Sequence, residues 1–280
     1  MQTNYFTIFI ILLIYLSYFG AIDSSASTVV IVDEYYTERQ DDITVYQFGD
    51  EYIIKNCTFA GCSDEYGGAL NIELRYGGQA SVLDSIFTGC EAYFGGGIQL
   101  GASSASKFII QGSQFKGCKA EENGGAINAQ ITDQDSIMEI GNSKFTNCES
   151  SNGGGISVTL KKAGQVIIDQ GCIINQCTSN GGSGGGIYIE TWFETSLWCS
   201  LVVRDTTIKN CKALLNQSSH TYPQGIGGAL FLGGDGIYDP TTELIDLRGL
   251  KLIDNTADTA GSSIYVAMLS LRELFDYIVY

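Results

Sequence analysis

Nine cysteines stand in this 280-residue chain. Several precede a glycine pair by a few residues, as in residues 58–74, TFAGCSDEYGGALNIEL. A thiolate beside a glycine-rich turn is the arrangement of a nucleophile next to a phosphate cradle. Two Cys-x4-Cys pairs, Cys57 with Cys62 and Cys172 with Cys177, raise zinc as a second chemistry. Zinc sites use spacings of about two to four and a second pair close in space, which disfavours that reading. The phosphate reading fails on repetition. A phosphate loop occurs once and opens a helix, whereas here Gly-Gly recurs about seven times and leads into alternating apolar residues. No metal and no cofactor is expected.

Acid-base and nucleophilic catalysis find little support. The single histidine, His220, lies in residues 214–226, a segment rich in Ser, Gln and Asn. No Ser-His-Asp or Cys-His set can be assembled around it. Sugar hydrolysis would instead use two facing carboxylates. Asp64, Glu65, Glu91, Glu121, Glu122 and Glu149 are available, and their plain reading is a solvated outer face. No group of acids has the spacing of a calcium loop.

The cysteines belong to a repeat. Phe59-x-x-Cys62 is followed by Phe87-x-x-Cys90, Phe115-x-x-Cys118 and Phe145-x-x-Cys148, then Ile174-x-x-Cys177, Ile208-x-x-Cys211 and Leu252-x-x-Asn255. The steps are 28, 28, 30, 29, 34 and 44 residues. Gly67-Gly68-Ala69-Leu70 and its successors keep pace, ending in a degraded Gly261-Ser262-Ser263-Ile264. Each copy holds short runs of period-two alternation, read as three strands, and none holds a helical period. A unit this small cannot bury its own apolar face and must stack on its neighbours. The expected fold is all-β, a right-handed parallel β-helix of about seven coils with terminal caps, handedness following the rule for parallel crossovers. Gly-Gly then marks a corner where stacked backbones approach. Phe59, Phe87, Phe115 and Phe145 form an internal stack. Cys62, Cys90, Cys118, Cys148, Cys177 and Cys211 form a parallel ladder of buried thiols, because Cβ vectors that point the same way make disulfides between adjacent rungs strained. Cys57 and Cys172 occupy a position where other copies have Ser85, Ser113, Ser143 and Thr206, so a small residue is required there.

The Phe-x-x-Cys or Phe-x-x-Asn element with Gly-Gly-Ala-Ile resembles the repeats of chlamydial polymorphic outer membrane proteins, over residues 53–266 or so. The resemblance implies a right-handed, pectin-lyase-like β-helix exposed on a cell surface and often adhesive. Cys mostly replaces Asn here, and only Leu252-x-x-Asn255 keeps the family form. The resemblance carries the fold and not the autotransporter mechanism.

The chain has 31 Asp and Glu against 15 Lys and Arg. That balance disfavours nucleic acid, anionic membrane surfaces and polyanionic polysaccharides. Residues 6–19 are almost uninterrupted apolar sequence, the length of a signal-peptide core, with Ser24 and Ala26 at a cleavage-like pattern. Residues 1–26 are therefore read as a signal peptide, with an uncleaved anchor as the alternative and the only route to a membrane. Residues 27–52 are read as an N-terminal cap or first coil, 53–266 as the repeats and 267–280 as a C-terminal cap. Leu271, Leu274, Phe275 and Ile278 follow helical spacing within that cap. Asn56-Cys57-Thr58 and Asn216-Gln217-Ser218 are N-glycosylation signals suited to an extracellular or cell-surface protein.

Two consecutive copies carry long corners after the glycine motif. Residues 191–198 contain Trp192, Glu194 and Trp198, and residues 233–242 contain Asp235 and Tyr238. Stacking makes these corners neighbours, and extra loops on one solenoid face commonly bind. The five residues form a candidate patch for glycans or surface proteins, against the plainer reading of aromatics that seal a wide corner. The expected function is a non-enzymatic, secreted or surface-held scaffold of adhesion type. The alternative is a carbohydrate-active β-helix enzyme, a hydrolase or lyase.

Overall fold

The computed structural model describes residues 26–192, 199–216, 224–237 and 242–269. Over these the chain winds as a right-handed parallel β-helix built of four parallel sheets, each coil after the first contributing one strand to each. In the coil that holds Cys62, Glu51–Lys55 lies in sheet I, Thr58–Ala60 in sheet II, Ser63–Tyr66 in sheet III and Leu70–Leu74 in sheet IV. Sheets I, II and IV have eight strands and sheet III has seven. The pairing is parallel and follows the sequence repeat, as in Phe87 between Phe59 and Phe115, or Ile98 between Leu70 and Ile127.

Three strands per copy are expected from the sequence, and the structure has four. The additional one is sheet III, whose strands read SDEY, EAYF and KAEEN. Its inward positions are Ala120, Ser150, Ser179 and Ala213, all buried. Small inward side chains leave no apolar alternation to read. The N-terminal segment is a true coil: Thr28–Val32, Tyr35–Tyr36 and Ile43–Val45 are the first strands of sheets I, II and IV. At the other end, Ile264–Leu269 is the last strand of sheet IV and runs past the expected boundary at residue 266. The helical spacing expected beyond it lies outside the described residues.

The interior is built of ladders. Phe59, Phe87, Phe115 and Phe145 are buried and stack with centroids 4.7, 4.5 and 5.0 Å apart, and Tyr36 extends the stack at 5.1 Å. Aliphatic columns from sheets I and IV, such as Leu70, Ile98, Ile127 and Ile156, face them as fully buried rows. A left-handed residue stands just before each ladder cysteine: Gly61, Gly89, Gly117, Asn147, Gln176 and Asn210. At the corner into sheet IV, Gly67 has φ +64°, and a Cβ on Gly68 would collide with the carbonyl oxygens of Gly96 and Glu91. Both demands of the glycine pair, positive φ and close approach, are present at that corner.

All nine cysteines are buried thiols, and none is joined in a disulfide among the described residues. In the ladder the thiols of Cys62, Cys90, Cys118, Cys148 and Cys211 donate weakly to the Phe-position carbonyl of the preceding coil, Cys90 Sγ to Phe59 O at 3.6 Å and Cys118 Sγ to Phe87 O at 3.7 Å, whereas Cys177 Sγ donates to Asn175 O of its own coil at 3.7 Å. Asn255 does the same with its amide: Nδ2 donates to Ile208 O at 3.0 Å while Oδ1 accepts from Cys211 N–H at 2.9 Å. Cys and Asn thus answer one requirement, a donor that bridges to the rung below. The small-residue position has a similar explanation. The Ser85 and Ser113 hydroxyls accept the N–H of Cys57 and Ser85, each at 3.1 Å, and tie that corner of one coil to the next.

Candidate functional site

Sheet III places its polar residues on one side. Glu91, Lys119 and Glu149 occupy the same outward position in successive coils, and the alternate residues point in as small side chains. The flat, thin-walled sheet and its flanking corners form a lateral groove of about 760 Å³ lined by Asp64, Glu65, Glu91, Tyr93, Lys119, Glu121, Glu149 and Asn180 among others. All but one of the six acids singled out from sequence line it, and the sixth, Glu122, accepts a hydrogen bond from the Tyr93 hydroxyl at 3.2 Å. The signal that marks them is their offset: each follows a ladder cysteine by one to four residues. Without the fourth sheet that offset has no meaning, which is why they read only as solvated charge.

The groove has defined ends. Coil one has no strand in sheet III. In its place Arg39 donates to Asp64 at 2.8 Å and also pairs with Asp42. The hydrogen bond from Arg39 holds the Asp64 carboxyl below the usual carboxylate range. Asn216, the first residue of the second glycosylation signal, lines the opposite end. Between them, Asn180 Nδ2 donates to Glu149 at 3.5 Å, Tyr66 stacks on Phe94 at 5.8 Å and Tyr93 meets Phe94 edge-on at 4.7 Å. Carboxylates, amides, hydroxyls and ring edges on a rigid sheet can hydrogen-bond a polyhydroxylated ligand or pair with cations. Among the described residues no three His, Cys, Asp or Glu side chains converge as a metal site.

The other candidates are placed as follows. Trp192 ends its sheet IV strand, is 41% exposed, and pairs in register with Asp235, so these two candidates are neighbours. The Lys161 ammonium sits 4.2 Å from the Trp192 ring centre and covers one face of it. Glu194, Trp198 and Tyr238 lie outside the described residues. Asn56 has φ +53° and its amide donates to Asp33, which makes it a left-handed corner residue bonded to the coil before. The plain structural demand of the corner accounts for an Asn there.

No family model matches the chain, and neither does any curated protein or solved structure.

Proposed function

We propose that the chain is a non-enzymatic extracellular or cell-surface β-helix scaffold of adhesion type, which holds glycans or protein partners in the sheet III groove. The observation that carries this reading is the groove itself: a continuous concave strip where six consecutive coils present hydrogen-bonding side chains along a parallel sheet. The apolar residues 6–19 support an extracytoplasmic location, and the resemblance to chlamydial surface repeats agrees with it. Trp192 and Asp235 supply a second, smaller contact area on sheet IV.

The alternative, a glycoside hydrolase or lyase, draws on one feature. Glu91 and Glu149 stand two rungs apart, roughly 10 Å between backbones, a span that could hold a sugar and a water between two carboxyl groups. A glycan array run beside a reducing-sugar release assay separates the two. The scaffold reading expects retained glycans or captured surface proteins and no sugar release. Release that Glu91→Gln abolishes would establish the enzyme instead.

A further inference from the structure

The strands of sheet II contain no Asp or Glu, although the chain has 31 of them and the strands of the other three sheets each contain some. The charged residues on its strands are four lysines. Lys116 and Lys144 stand diagonally on adjacent strands, Gln114 pairing with Lys144. Lys209 and Lys251 repeat that arrangement, Thr207 pairing with Lys251. Lys119 and Lys212 follow just past the corner as the first residues of sheet III strands, in Lys-Gly-Cys-Lys and Lys-Asn-Cys-Lys, whose third-to-last residues Gly117 and Asn210 share the left-handed conformation. The two sets are three rungs apart, about 14 Å. None of these six lysines is in an ion pair among the described residues, whereas the arginines at 39, 75, 204 and 248 all are.

We propose that this face, whose strands carry lysines and no acid, docks a second copy of the chain, side by side and parallel, with its lysines in the neighbour's sheet III groove. The inference rests on the reading of that groove as a contact surface and names its protein partner. Charge complementarity selects the partner. Lys116 lies in the coil that carries Glu121, and Lys144 in the coil that carries Glu149, so two copies aligned in parallel bring each lysine level with the carboxylates of the same coil. The match covers these two coils, since the coils of Lys209 and Lys251 present Lys212 and Thr256 in sheet III. A free polyanion could engage the lysines but would meet the groove's carboxylates around Lys119, which Glu91 and Glu149 flank in register. Faces II and III are different surfaces of one molecule, so the contact is heterologous, and such contacts propagate into rows unless the rotation closes them. A row of parallel solenoids is a fitting product for a surface scaffold.

Ionic strength gives the contact a signature. The net charge of −16 makes copies repel at a distance, and at 0.01 M salt that repulsion reaches about 30 Å; at 0.15 M it is screened beyond about 8 Å while contact pairs persist. Sedimentation velocity of the full chain over a concentration series at 0.15 M salt tests the proposal. Wild type is expected to self-associate. Lys116→Glu/Lys144→Glu, folded by circular dichroism, should weaken association by about tenfold or more, and mixing it with Glu121→Lys/Glu149→Lys should restore pairing between the two variants. A wild type that stays monomeric, a lysine variant that associates as wild type does, or swapped variants that fail to pair would each overturn it. Loss of glycan binding by a groove variant with no self-association would leave the groove reading standing and remove this one.

Discussion

Phe115 lies between Phe87 and Phe145 with ring centres 4.5 and 5.0 Å away and is buried. Truncating it removes both ring contacts and leaves a cavity in a column that cannot collapse along its axis. Phe115→Ala should cost about 3–5 kcal/mol in urea unfolding, while Glu121→Ala, on the outer groove, should change stability by less than about 0.5 kcal/mol. Equal stabilities would contradict the interior assignment. The thiols are tested by reactivity. Burial lifts Cys62 to about 11 and Cys172 to about 11, and a hydrogen-bonded thiol above it, Cys118, together with burial, lifts Cys90 as well. Raised values keep Cys62, Cys90 and Cys172 neutral near pH 7, and burial withholds the rest from a reagent, including Cys148 and Cys211, which hydrogen bonds from Cys118 and Cys177 pull down. Native protein should therefore react slowly with a thiol reagent at neutral pH, and denatured, unreduced protein should titrate nine thiols, one for each buried cysteine outside a disulfide. A count of one would mean four disulfides and a different ladder.

The corners decide whether coils can stack. Gly96 and Gly89 are close in sequence yet face different demands. A Cβ at Gly96 would strike the backbone oxygens of Gly125 and Lys119, whereas at Gly89 it would meet nothing within 4 Å and suffer only from φ +59°. Gly89→Ala should cost about 1–2 kcal/mol, the strain of a left-handed alanine, and Gly96→Ala clearly more, because two rungs would have to part. Thermal unfolding of the two variants checks the order, and a reversed order would contradict the stacked-corner account. Such corners were legible in sequence because glycine is the residue they need, and so were the Phe and Cys columns, which recur at fixed offsets. Sheet III was not legible: Ala92, Ala120 and Ser150 carry no hydrophobic signal, and Glu91 and Glu149 look like ordinary surface until the fourth strand aligns them on either side of Lys119. The Trp192 and Asp235 pairing was legible from the stacking of two long corners, but the Lys161 ammonium over the ring was not, since it comes from the coil before.

At the scale of the molecule, the solenoid separates its chemistry by face. Apolar rows and thiols fill the inside, sheet II is basic and free of acids, and sheet III gathers carboxylates into a groove with Arg39 at one end and Asn216 at the other. A rigid rod with unlike sides suits a protein that holds others in fixed relation, and the central claim is that the sheet III groove is the surface that does so. Binding to glycans and whole cells should be measured for three proteins of equal fold by circular dichroism: wild type, Glu121→Gln/Glu149→Gln and Trp192→Ala. The double groove variant is expected to lose at least about tenfold in affinity, as the loss of two charged hydrogen-bonding groups implies, while Trp192→Ala retains most binding. Unchanged binding by the groove variant, with loss confined to Trp192→Ala, would contradict the claim and move the functional surface to sheet IV.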